Sequence, residues 1–384
     1  MISVDEALRA LDKNRPDWGR ETLPLGEITG RVLTEDIIAP FSHPRSSVSV
    51  MDGYAYSGGD ENGRLTIIGE SRAGEPYGGA VSKGQAVRIF TGALLPAGTQ
   101  CVEMQENAIL DGNTVSFSSV SAHRSFVRKA GADFEKGARI FQSGDRVTPA
   151  MILALATCNM GSAAVQRLPT VALLSSGDEL RPVGSALGTG QIVNSISPAL
   201  NALLRQWGVK TIELGIARDT HEHITEKLRD CKADIIVPIG AASAGDYDLM
   251  QPAVKALGFT SIFSKVAVKP GKPTWFSRRE DQYVLGLPGN PSSAWVCAQI
   301  FLKHLIFGPQ PLESAALAKA LPANGKRETF LRGQRLSSTR VKALSRQDSG
   351  LVTPLGHADI LIRRPAHSKE APAGTRVDFL NIGT

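Results

Sequence analysis

Residues 283–293, YVLGLPGNPSS, predict the end of a buried strand, a sharp turn and the start of a helix. The apolar run Tyr283–Leu287 forms the strand, and the turn follows at once. Asn290 is a good helix N-cap and Pro291 suits the first helical position, so we expect a helix up to Ile306. Such a helix points its free N–H groups out of the sheet, which favours an anion site. A capped helix without a ligand is an equally open interpretation.

The same strand–turn–helix pattern recurs on both sides of this stretch, from Pro169 to about Gly308. β-Branched runs that alternate with helices predict a mostly parallel sheet covered on both faces. The predicted strands are Thr170–Ser175, Thr211–Ile216, Asp234–Ile239, Ile262–Val268 and Tyr283–Leu287. The predicted helices are Pro198–Gln206, His221–Asp230, Tyr247–Leu257 and Pro291–Ile306.

Three polar loops follow strands of this sheet directly: Ser176 to Glu179, Gly240 to Asp246 and Pro288 to Pro291. Ligands of open α/β sheets bind beyond the carboxyl ends of the strands. We therefore expect the three loops to converge on one crevice.

The flanking segments are rich in short strands. Residues 43–132 and the tail 309–384 alternate apolar runs with Gly, Pro and Asn turns, and Asp111-Gly112-Asn113 predicts a hairpin. The fold class is thus α/β plus β, with a central α/β domain, a β-rich second domain and a small β-barrel at the end. We predict four domains: 1–42 with 133–168, 43–132, 169–308 and 309–384.

Composition narrows the classes of function. The chain has 384 residues and a net charge of +6, without blocks of like charge or basic residues interleaved with aromatics, so nucleic-acid binding is disfavoured. The four cysteines are scattered within apolar segments, which predicts reduced core residues. No apolar run is long enough to span a membrane, and the spacing of Val4, Leu8 and Leu11 predicts an amphipathic helix over Met1 to Leu11, which is not a signal peptide. We expect a soluble, cytoplasmic protein.

Charged side chains in the loops suit an anionic substrate and a metal. Lys269 and Lys272, on the stiff loop Lys-Pro-Gly-Lys-Pro, are candidates for oxyanion binding, with solvated surface lysines as the alternative. Carboxylates beyond strand ends, at Asp178, Glu179 and Asp246, can face an anion if a divalent cation lies between them. The alternative for Asp178 and Asp246 is helix capping.

The ordered set of these motifs resembles the molybdopterin molybdenumtransferase family, known as MoeA in bacteria and as the gephyrin E domain in animals. The resemblance extends from the first helix to the last β domain. The motifs that carry it are Met51-Asp52-Gly53-Tyr54-Ala55, Phe90-Thr91-Gly92-Ala93 with Met104-Gln105-Glu106, Ala130-Gly131-Ala132-Asp133, Ser176-Gly177-Asp178-Glu179-Leu180, Gly190-Gln191-Ile192, Lys269-Pro270-Gly271-Lys272-Pro273 and Gly286-Leu287-Pro288-Gly289-Asn290-Pro291.

The resemblance implies an elongated homodimer of four-domain subunits. Its active site would lie in a cleft between the α/β domain of one subunit and the β-rich domain of the other. The implied reaction inserts molybdate into the dithiolene of adenylylated molybdopterin and releases AMP, assisted by Mg²⁺. The implied partners are the enzyme that supplies adenylylated molybdopterin and the apo-molybdoenzymes that receive the cofactor. The alternative is a non-catalytic, molybdopterin-binding paralogue that acts as a carrier or scaffold.

The resemblance also implies roles for individual residues. The catalytic set comprises Asp52, Asp133, Asp178, Glu179 and Asp246, of which Asp178, Glu179 and Asp246 would bind the metal. The substrate-binding set comprises Thr91, Ser176, Ser243, Lys269, Lys272, Pro288, Asn290, Pro291 and Ser292. Asp52, Thr91 and Asp133 would come from the second subunit.

Three stretches depart from the family pattern. Ala241, Ala242 and Ala244 interrupt a loop that usually reads Gly-Gly-Val-Ser-Val-Gly. Ser47-Val48-Ser49 stands where Asp-Asn-Ser is usual, and Val193-Asn194-Ser195 where Tyr-Asp-Ser is usual. Each change removes a glycine, a charge or an amide from a loop near the expected site.

Overall fold

The computed structural model describes residues 1–59, 63–119, 126–240 and 249–383. The chain divides into two compact units. The smaller unit is Gly19–Arg167, and the larger unit combines Met1–Trp18 with Leu168–Thr384.

The amino-terminal helix, Val4–Asn14 (α1), belongs to the larger unit. Ser3 and Glu6 form a reciprocal capping box at its start, and its apolar stripe is buried. Main-chain hydrogen bonds join Ile2 to Lys265 and Ala267, and the Trp18 indole N–H donates to the carbonyl of Ile306 at 3.1 Å. The predicted helix is confirmed. The sequence-based division placed this segment with residues 133–168, and the four-domain division stays a prediction.

The smaller unit is mostly β-structure, in agreement with the alternating pattern of its sequence. Its strands are Arg20–Pro24 (β1), Ile37–Ile38 (β2), Val48–Ser49 (β3), Gly53–Tyr56 (β4), Leu65–Ser71 (β5), Gln85–Ile89 (β6), Cys101–Met104 (β7), Ala108–Asp111 (β8), Thr114–Phe117 (β9), Val127–Arg128 (β10), Arg139–Phe141 (β11) and Ser162–Gln166 (β12). Short 3₁₀ turns span Leu25–Glu27 and Gln105–Asn107.

Six of these strands form one sheet in the order β7–β4–β6–β5–β9–β8. The predicted hairpin joins β8 to β9, and Gly112 adopts φ +59° in its turn. At Gly53 the strands β4 and β7 approach so closely that an added Cβ would lie 1.9 Å from the carbonyl oxygen of Glu103. The glycine of the Met-Asp-Gly motif is therefore required by strand pairing.

The smaller unit has one long helix among its described residues, Pro149–Thr157 (α2). Thr148 caps it by accepting a hydrogen bond from the Met151 N–H at 3.3 Å, and Pro149 occupies its first turn, as the sequence predicts. Leu155 is buried, whereas Leu153 is 73% exposed although the helix is apolar around its whole circumference. Helices with this composition are normally covered on every side.

The larger unit contains the predicted α/β domain. Its strands are Val171–Ser176 (β13), Leu180–Arg181 (β14), Ile192–Val193 (β15), Thr211–Ala217 (β16), Ile235–Ile239 (β17), Thr260–Phe263 (β18), Val268–Lys269 (β19), Trp275–Arg279 (β20) and Gln282–Gly286 (β21). Its helices are Ile196–Gln206 (α3), His221–Arg229 (α4), Met250–Ala256 (α5), Pro291–Cys297 (α6) and Lys303–Phe307 (α7), with a π-helical turn at Ala298–Leu302 between the last two.

The sheet has the order β16–β13–β17–β21–β20–β18. The first four strands are parallel, β20 runs antiparallel to β21, and the edge strand β18 pairs antiparallel with β20. One face packs against α3, α6 and α7, and the other against α4 and α5. The predicted mostly parallel sheet with two covered faces is confirmed.

Two details of the α/β prediction are wrong. The stretch 262–268 is not one strand, because it divides between β18 in this sheet and β19, which pairs with a strand of the tail. The strand β20 was not predicted, because Trp275–Arg279 ends in two arginines and lacks an apolar alternation.

The tail forms a closed five-stranded barrel. Its strands are Glu313–Leu317 (β22), Glu328–Ser337 (β23), Arg340–Ala343 (β24), Ile360–Arg364 (β25) and Arg376–Asn381 (β26). They pair in the cycle β23–β24–β22–β26–β25–β23, which confirms the predicted small β-barrel. The 3₁₀ turn Thr353–His357 packs against β23. Across the described ranges, no helix is long and apolar enough to cross a membrane.

The close approach at Gly53 predicts a specific stability effect. Gly53→Ala should lower the free energy of unfolding by about 1–3 kcal/mol, because the new methyl group has to displace the backbone of β7. Urea unfolding followed by circular dichroism measures this change.

Gly78→Ala is the matched control, because a Cβ at Gly78 meets no atom within 4 Å and the position lacks a positive φ. Equal stability of the Gly53→Ala protein and the wild type would show that β4 and β7 can separate without cost.

Candidate functional site

Three strand ends of the larger unit meet through their backbones. Gly240 follows β17 at φ +94°, and an added Cβ there would lie 2.6 Å from the carbonyl oxygen of Ser176 at the end of β13. A Cβ on Gly289, beyond β21, would lie 3.0 Å from the Cα of Gly240. A Cβ at either glycine would crowd the neighbouring backbone, so the described starts of the three loops converge, whereas residues 241–246 of the second loop lie outside the described residues.

A cavity of about 230 Å³ lies at this convergence. Buried Ser175 lines it, and the Ser175 hydroxyl oxygen lies 2.7 Å from that of Ser197, which is buried behind it. Asn194 donates to the Ser197 hydroxyl at 3.3 Å. Glu179 and Pro291 complete the polar and apolar walls. The cavity therefore presents hydroxyl, amide and carboxylate groups beside the start of α6.

Two carboxylates lie together beyond β13 and β16. The Ser176 hydroxyl donates to Asp219 Oδ1 at 2.6 Å, and the Asp219 N–H donates to Asp178 Oδ1 at 3.3 Å. Both aspartates are exposed. The sequence analysis missed Asp219, although a signal existed: it stands two residues after the end of β16, as Asp178 stands two residues after the end of β13.

Glu179 is fixed by its own loop. Its carboxylate lies over Gly177, where an added Cβ would be 2.7 Å from Glu179 Oε2. The Ile192 N–H donates to the Glu179 carbonyl at 2.9 Å, within the parallel pairing of β14 and β15. The Gly190-Gln191-Ile192 motif thus braces the loop that carries Asp178 and Glu179.

Two of the three predicted metal ligands lie within the described residues. Asp178 and Glu179 are described, whereas Asp246 lies outside the described residues, as do Ser243 and the three alanines that depart from the family pattern. Within the described part of the chain, no group of three His, Cys, Asp or Glu side chains could hold a metal ion. The metal site remains a prediction.

The start of α6 has the predicted cap. Asn290 Oδ1 accepts hydrogen bonds from the Ser293 N–H at 3.1 Å and from the Ser293 hydroxyl at 3.2 Å. Pro288 is buried at the end of the preceding loop. Ser292 is also buried, and its hydroxyl accepts a hydrogen bond from Arg332 at 3.0 Å. Its predicted contact with substrate stays a prediction.

A second, larger cavity of about 570 Å³ lies on the other side of this turn. Lys269 and Lys272 line it and are both exposed, and Ser293 of α6 is part of its wall. The barrel supplies further polar side chains that the sequence analysis missed, namely Arg327, Thr329, Arg332, Gln347, Asp348 and Ser349. The cavity is strongly basic, because its lining has four cationic side chains and one carboxylate, namely Lys269, Lys272, Arg327 and Arg332 with Asp348.

Arg332 joins the barrel to α6. Only 3% of it is exposed, and its guanidinium donates to the Ser292 hydroxyl and to the carbonyls of Asp348 and Leu351 at 2.9–3.0 Å. Burial lowers the pKa of the Arg332 guanidinium, and the nearby Asp348 opposes this effect. Oxygen acceptors on both elements thus hold a buried positive charge at the wall of the basic cavity.

The lysine loop rests on a buried thiol. An added Cβ at Gly271 would lie 2.0 Å from Cys297 Sγ, and the Thr274 hydroxyl donates to the same sulfur at 3.2 Å. Burial raises the pKa of the Cys297 thiol to about 12. Cys297 is therefore a packing residue, in agreement with the expectation for core cysteines.

In the smaller unit, Asp52 and Thr91 form one hydrogen-bonded pair. Asp52 precedes β4 and Thr91 follows β6, and these strands are neighbours in the sheet. Asp52 Oδ1 accepts from both the N–H and the hydroxyl of Thr91, each at 2.8 Å. These two bonds lower the pKa of the Asp52 carboxyl, with a smaller contribution from Arg88.

Asp133 belongs to the same unit as Asp52 and Thr91, and hydrogen bonds join its segment to residues 43–49. The preceding strand β10 pairs with β3, and the Asp133 N–H donates to the His43 carbonyl at 3.0 Å. The Ser47 hydroxyl accepts from the Ala130 N–H at 3.4 Å, and the Ser49 hydroxyl donates to the Met51 carbonyl at 2.6 Å. Ser47, which departs from the family pattern, and Ser49, which matches it, therefore shape the loops that carry Asp52 and Asp133.

Comparison with known families agrees with this architecture. Residues 2–159 match the MoeA N-terminal region (domains I and II), residues 172–307 match a probable molybdopterin-binding domain, and residues 314–382 match the MoeA C-terminal region (domain IV). The fold and these polar strand-end loops define a multidomain protein of the molybdopterin-binding class.

Curated relatives give the family. The chain is 34% identical to the molybdopterin molybdenumtransferase of Haemophilus influenzae over 312 residues, which cover 80% of this chain and 77% of that protein. It is 29% identical to the Staphylococcus epidermidis enzyme of the same name over 401 aligned positions, covering 99% and 95%. The chain belongs to the molybdopterin molybdenumtransferase (MoeA) family.

A solved structure supports the same fold. The crystal structure of the molybdopterin biosynthesis MoeA protein from Pyrococcus horikoshii superposes with a TM-score of 0.83 at 26% identity, and the match covers all of both chains.

The Asp52–Thr91 pair predicts a measurable change in acidity. Thr91→Val removes the hydroxyl donor but keeps the N–H, so the pKa of Asp52 should rise. Because the folded-state pKa is lowered, this pair stabilises the fold above the unfolded pKa and loses that effect as pH falls through the folded value. Carboxyl ¹³C NMR titration measures the change.

Thr91→Ser keeps the hydroxyl and should leave the Asp52 titration close to that of the wild type. A Thr91→Val protein with an unchanged Asp52 titration would contradict the role assigned to the Thr91 hydroxyl.

Proposed function

We propose that this chain is a molybdopterin molybdenumtransferase, which inserts molybdate into the dithiolene of adenylylated molybdopterin and releases AMP. The observation that carries the proposal is the arrangement around the start of α6. A carboxylate-bearing cavity lies on one side, lined by Pro291, and a basic cavity lies on the other, lined by Ser293. The two substrates of this reaction fit these two cavities. The phosphates of adenylylated molybdopterin suit the first cavity, and the molybdate oxyanion suits the second.

The basic cavity suits the oxyanion. Lys269 and Lys272 supply ammonium donors, and Arg327 and Arg332 supply guanidinium charge from the barrel. Preorganised donors of this kind stabilise charge that develops on phosphate or molybdate oxygens without reorganisation during the reaction. Asp348, on the same wall, limits the excess of positive charge. We assign molybdate binding to this cavity.

The strand-end loops suit the pyrophosphate of the adenylylated substrate. Asn194 can donate to its oxygens, Ser176 lines the same cavity with its hydroxyl proton held by Asp219, and the backbone at Gly240 and Gly289 leaves room for close approach. Asp178, Glu179 and Asp219 carry negative charge at the same sheet edge. In this proposal the three carboxylates orient the water that hydrolyses the adenylate, or accept a proton from that water.

The donor set at the sheet edge fits Mg²⁺ bound with substrate. Magnesium in such sites takes one or two carboxylates and completes its octahedron with water and substrate phosphates. Asp178 and Glu179 would provide the carboxylates, together with the predicted Asp246. When bound, the ion would neutralise charge on the phosphate oxygens.

We extend the proposal to location and partners. The protein would act in the cytoplasm, receive adenylylated molybdopterin from the enzyme that makes it, and deliver the cofactor to apo-molybdoenzymes. As a homodimer it would use Asp52, Thr91 and Asp133 from a second chain, with Pro288 and Asn290 shaping the pocket of the first.

An assay of AMP release tests the reaction. Purified protein with adenylylated molybdopterin, molybdate and Mg²⁺ should release AMP, and Asp178→Asn should lower the rate by about a hundredfold while pterin binding persists. Chromatography of AMP and fluorescence of bound pterin separate turnover from binding.

Asp281→Asn is the matched control, because Asp281 is exposed in the turn between β20 and β21 and lines neither cavity. Pterin binding without AMP release by the wild type would favour the carrier alternative. Full turnover by Asp178→Asn would remove Asp178 from the reaction.

The exposed side of α2 supports the homodimer. This helix is apolar on all sides, yet Leu153 is 73% exposed and Ala150 and Ala156 are exposed beside it. Because an all-apolar helix is stable only when covered, a second copy of the chain is the proposed cover.

Leu153→Glu tests this interface. A charge placed on α2 should shift the protein from dimer to monomer in analytical ultracentrifugation, because a buried carboxylate lacks a partner there. Leu187→Glu provides the control, since Leu187 is 49% exposed but lies on a loop of the larger unit. A wild-type monomer, or an unaffected Leu153→Glu dimer, would contradict the proposed contact.

A further inference from the structure

Arg88 occupies an unusual position beside the Asp52–Thr91 pair. It lies on β6 directly opposite Tyr54 of β4. Its guanidinium carbon is 4.9 Å from the centroid of the Tyr54 ring and 5.1 Å from that of the Phe90 ring. Tyr54 is buried and Phe90 is half-buried, and both rings lie within cation–π distance of the charged group.

The guanidinium also contacts Gln105, whose main chain is hydrogen-bonded to Asp52. Arg88 Nη2 donates a hydrogen bond to Gln105 Oε1. The main-chain N–H of Gln105 in turn donates to the carbonyl oxygen of Asp52 at 3.0 Å. Arg88 therefore holds, through one glutamine, the segment that anchors the main chain of Asp52, while Thr91 anchors its carboxylate.

We propose that Arg88 is a positioning residue for Asp52: held over the rings of Tyr54 and Phe90, it keeps Gln105 against the Asp52 main chain and a positive charge near the Asp52 carboxylate. The inference deepens the proposed function, because it rests on the role of Asp52 in the reaction.

The charges around Asp52 agree with this role. The hydrogen bonds from Thr91 lower the pKa of the Asp52 carboxyl most, and the charge of Arg88 lowers it further. The acidic residues on the neighbouring strands are engaged elsewhere. Glu70 on β5 pairs with Arg72, and Glu103 on β7 accepts a hydrogen bond from Asn107 at 2.7 Å. Arg88 is the cation whose charge lowers the pKa of the Asp52 carboxyl.

A guanidinium is suited to this task in a way that an ammonium is not. It is planar, stays charged throughout the physiological pH range and stacks on aromatic faces while it donates hydrogen bonds from its edge. A lysine at position 88 would keep the charge but lose the planar group. The two contributions can therefore be separated by substitution.

The experiment compares Arg88→Gln, Arg88→Lys and the control Arg72→Gln. Arg72 lies over the same Phe90 ring, at 5.9 Å, but its partner is Glu70. Asp52 is titrated by carboxyl ¹³C NMR in each protein without substrate. AMP release is then measured for kcat and KM, and thermal unfolding confirms that each variant is folded.

We expect the pKa of Asp52 to rise in Arg88→Gln, to return towards the wild-type value in Arg88→Lys and to stay unchanged in Arg72→Gln. Turnover should fall about tenfold in kcat with KM nearly unchanged in Arg88→Gln, and recover in part in Arg88→Lys. An unshifted Asp52 titration in Arg88→Gln, or equal losses in Arg72→Gln, would overturn the proposal.

The two kinds of failure are distinguishable. If the wild type releases no AMP, the proposed function fails, but the titration still decides whether Arg88 controls Asp52. If the wild type is active and Arg88→Gln has both normal turnover and a normal titration, only the role of Arg88 is rejected.

Discussion

The larger unit depends on the contact between three strand ends without intervening side chains. Ser176, Gly240 and Gly289 end or follow β13, β17 and β21, and their backbones are too close for a Cβ at either glycine. This proximity has two consequences. The described ends of the loops share one crevice, and Ser176, Glu179 and Pro291 line it. A methyl group at either glycine would separate the loops and, with them, Glu179 from Pro291.

Two chemically different cavities lie at the start of α6, beside this contact. Pro291 and Ser293 are only two residues apart, yet they line different cavities. The barrel supplies the second wall because Arg332 is buried and satisfied by oxygen acceptors from α6 and from its own loop. Breaking that set would leave a buried charge without acceptors, which costs much more than the bonds contribute when intact.

Much of the fold could be predicted because local rules and tertiary packing agree. Asn290 and Pro291 begin α6 as expected, Thr148 caps α2, and Gly112 forms the hairpin turn. The errors arose where packing overrides pattern. The run 262–268 divides because β19 pairs with the barrel, and β20 is a strand because it packs Trp275 and Phe276 into the sheet's two faces despite its terminal arginines.

The sequence alone predicts which loops carry chemistry, since glycine, proline and charge in short strand-end segments are local signals. These signals point to Asp178 and Lys269, and the family resemblance adds Asp52 and Thr91. Which side chains join them depends on the tertiary structure. Asp219 reaches Asp178 because β16 and β13 are neighbours, Arg332 reaches α6 because the barrel closes, and Arg88 reaches Asp52 through Gln105. These contacts depend on strand order and register, which residue spacing along a single chain does not specify.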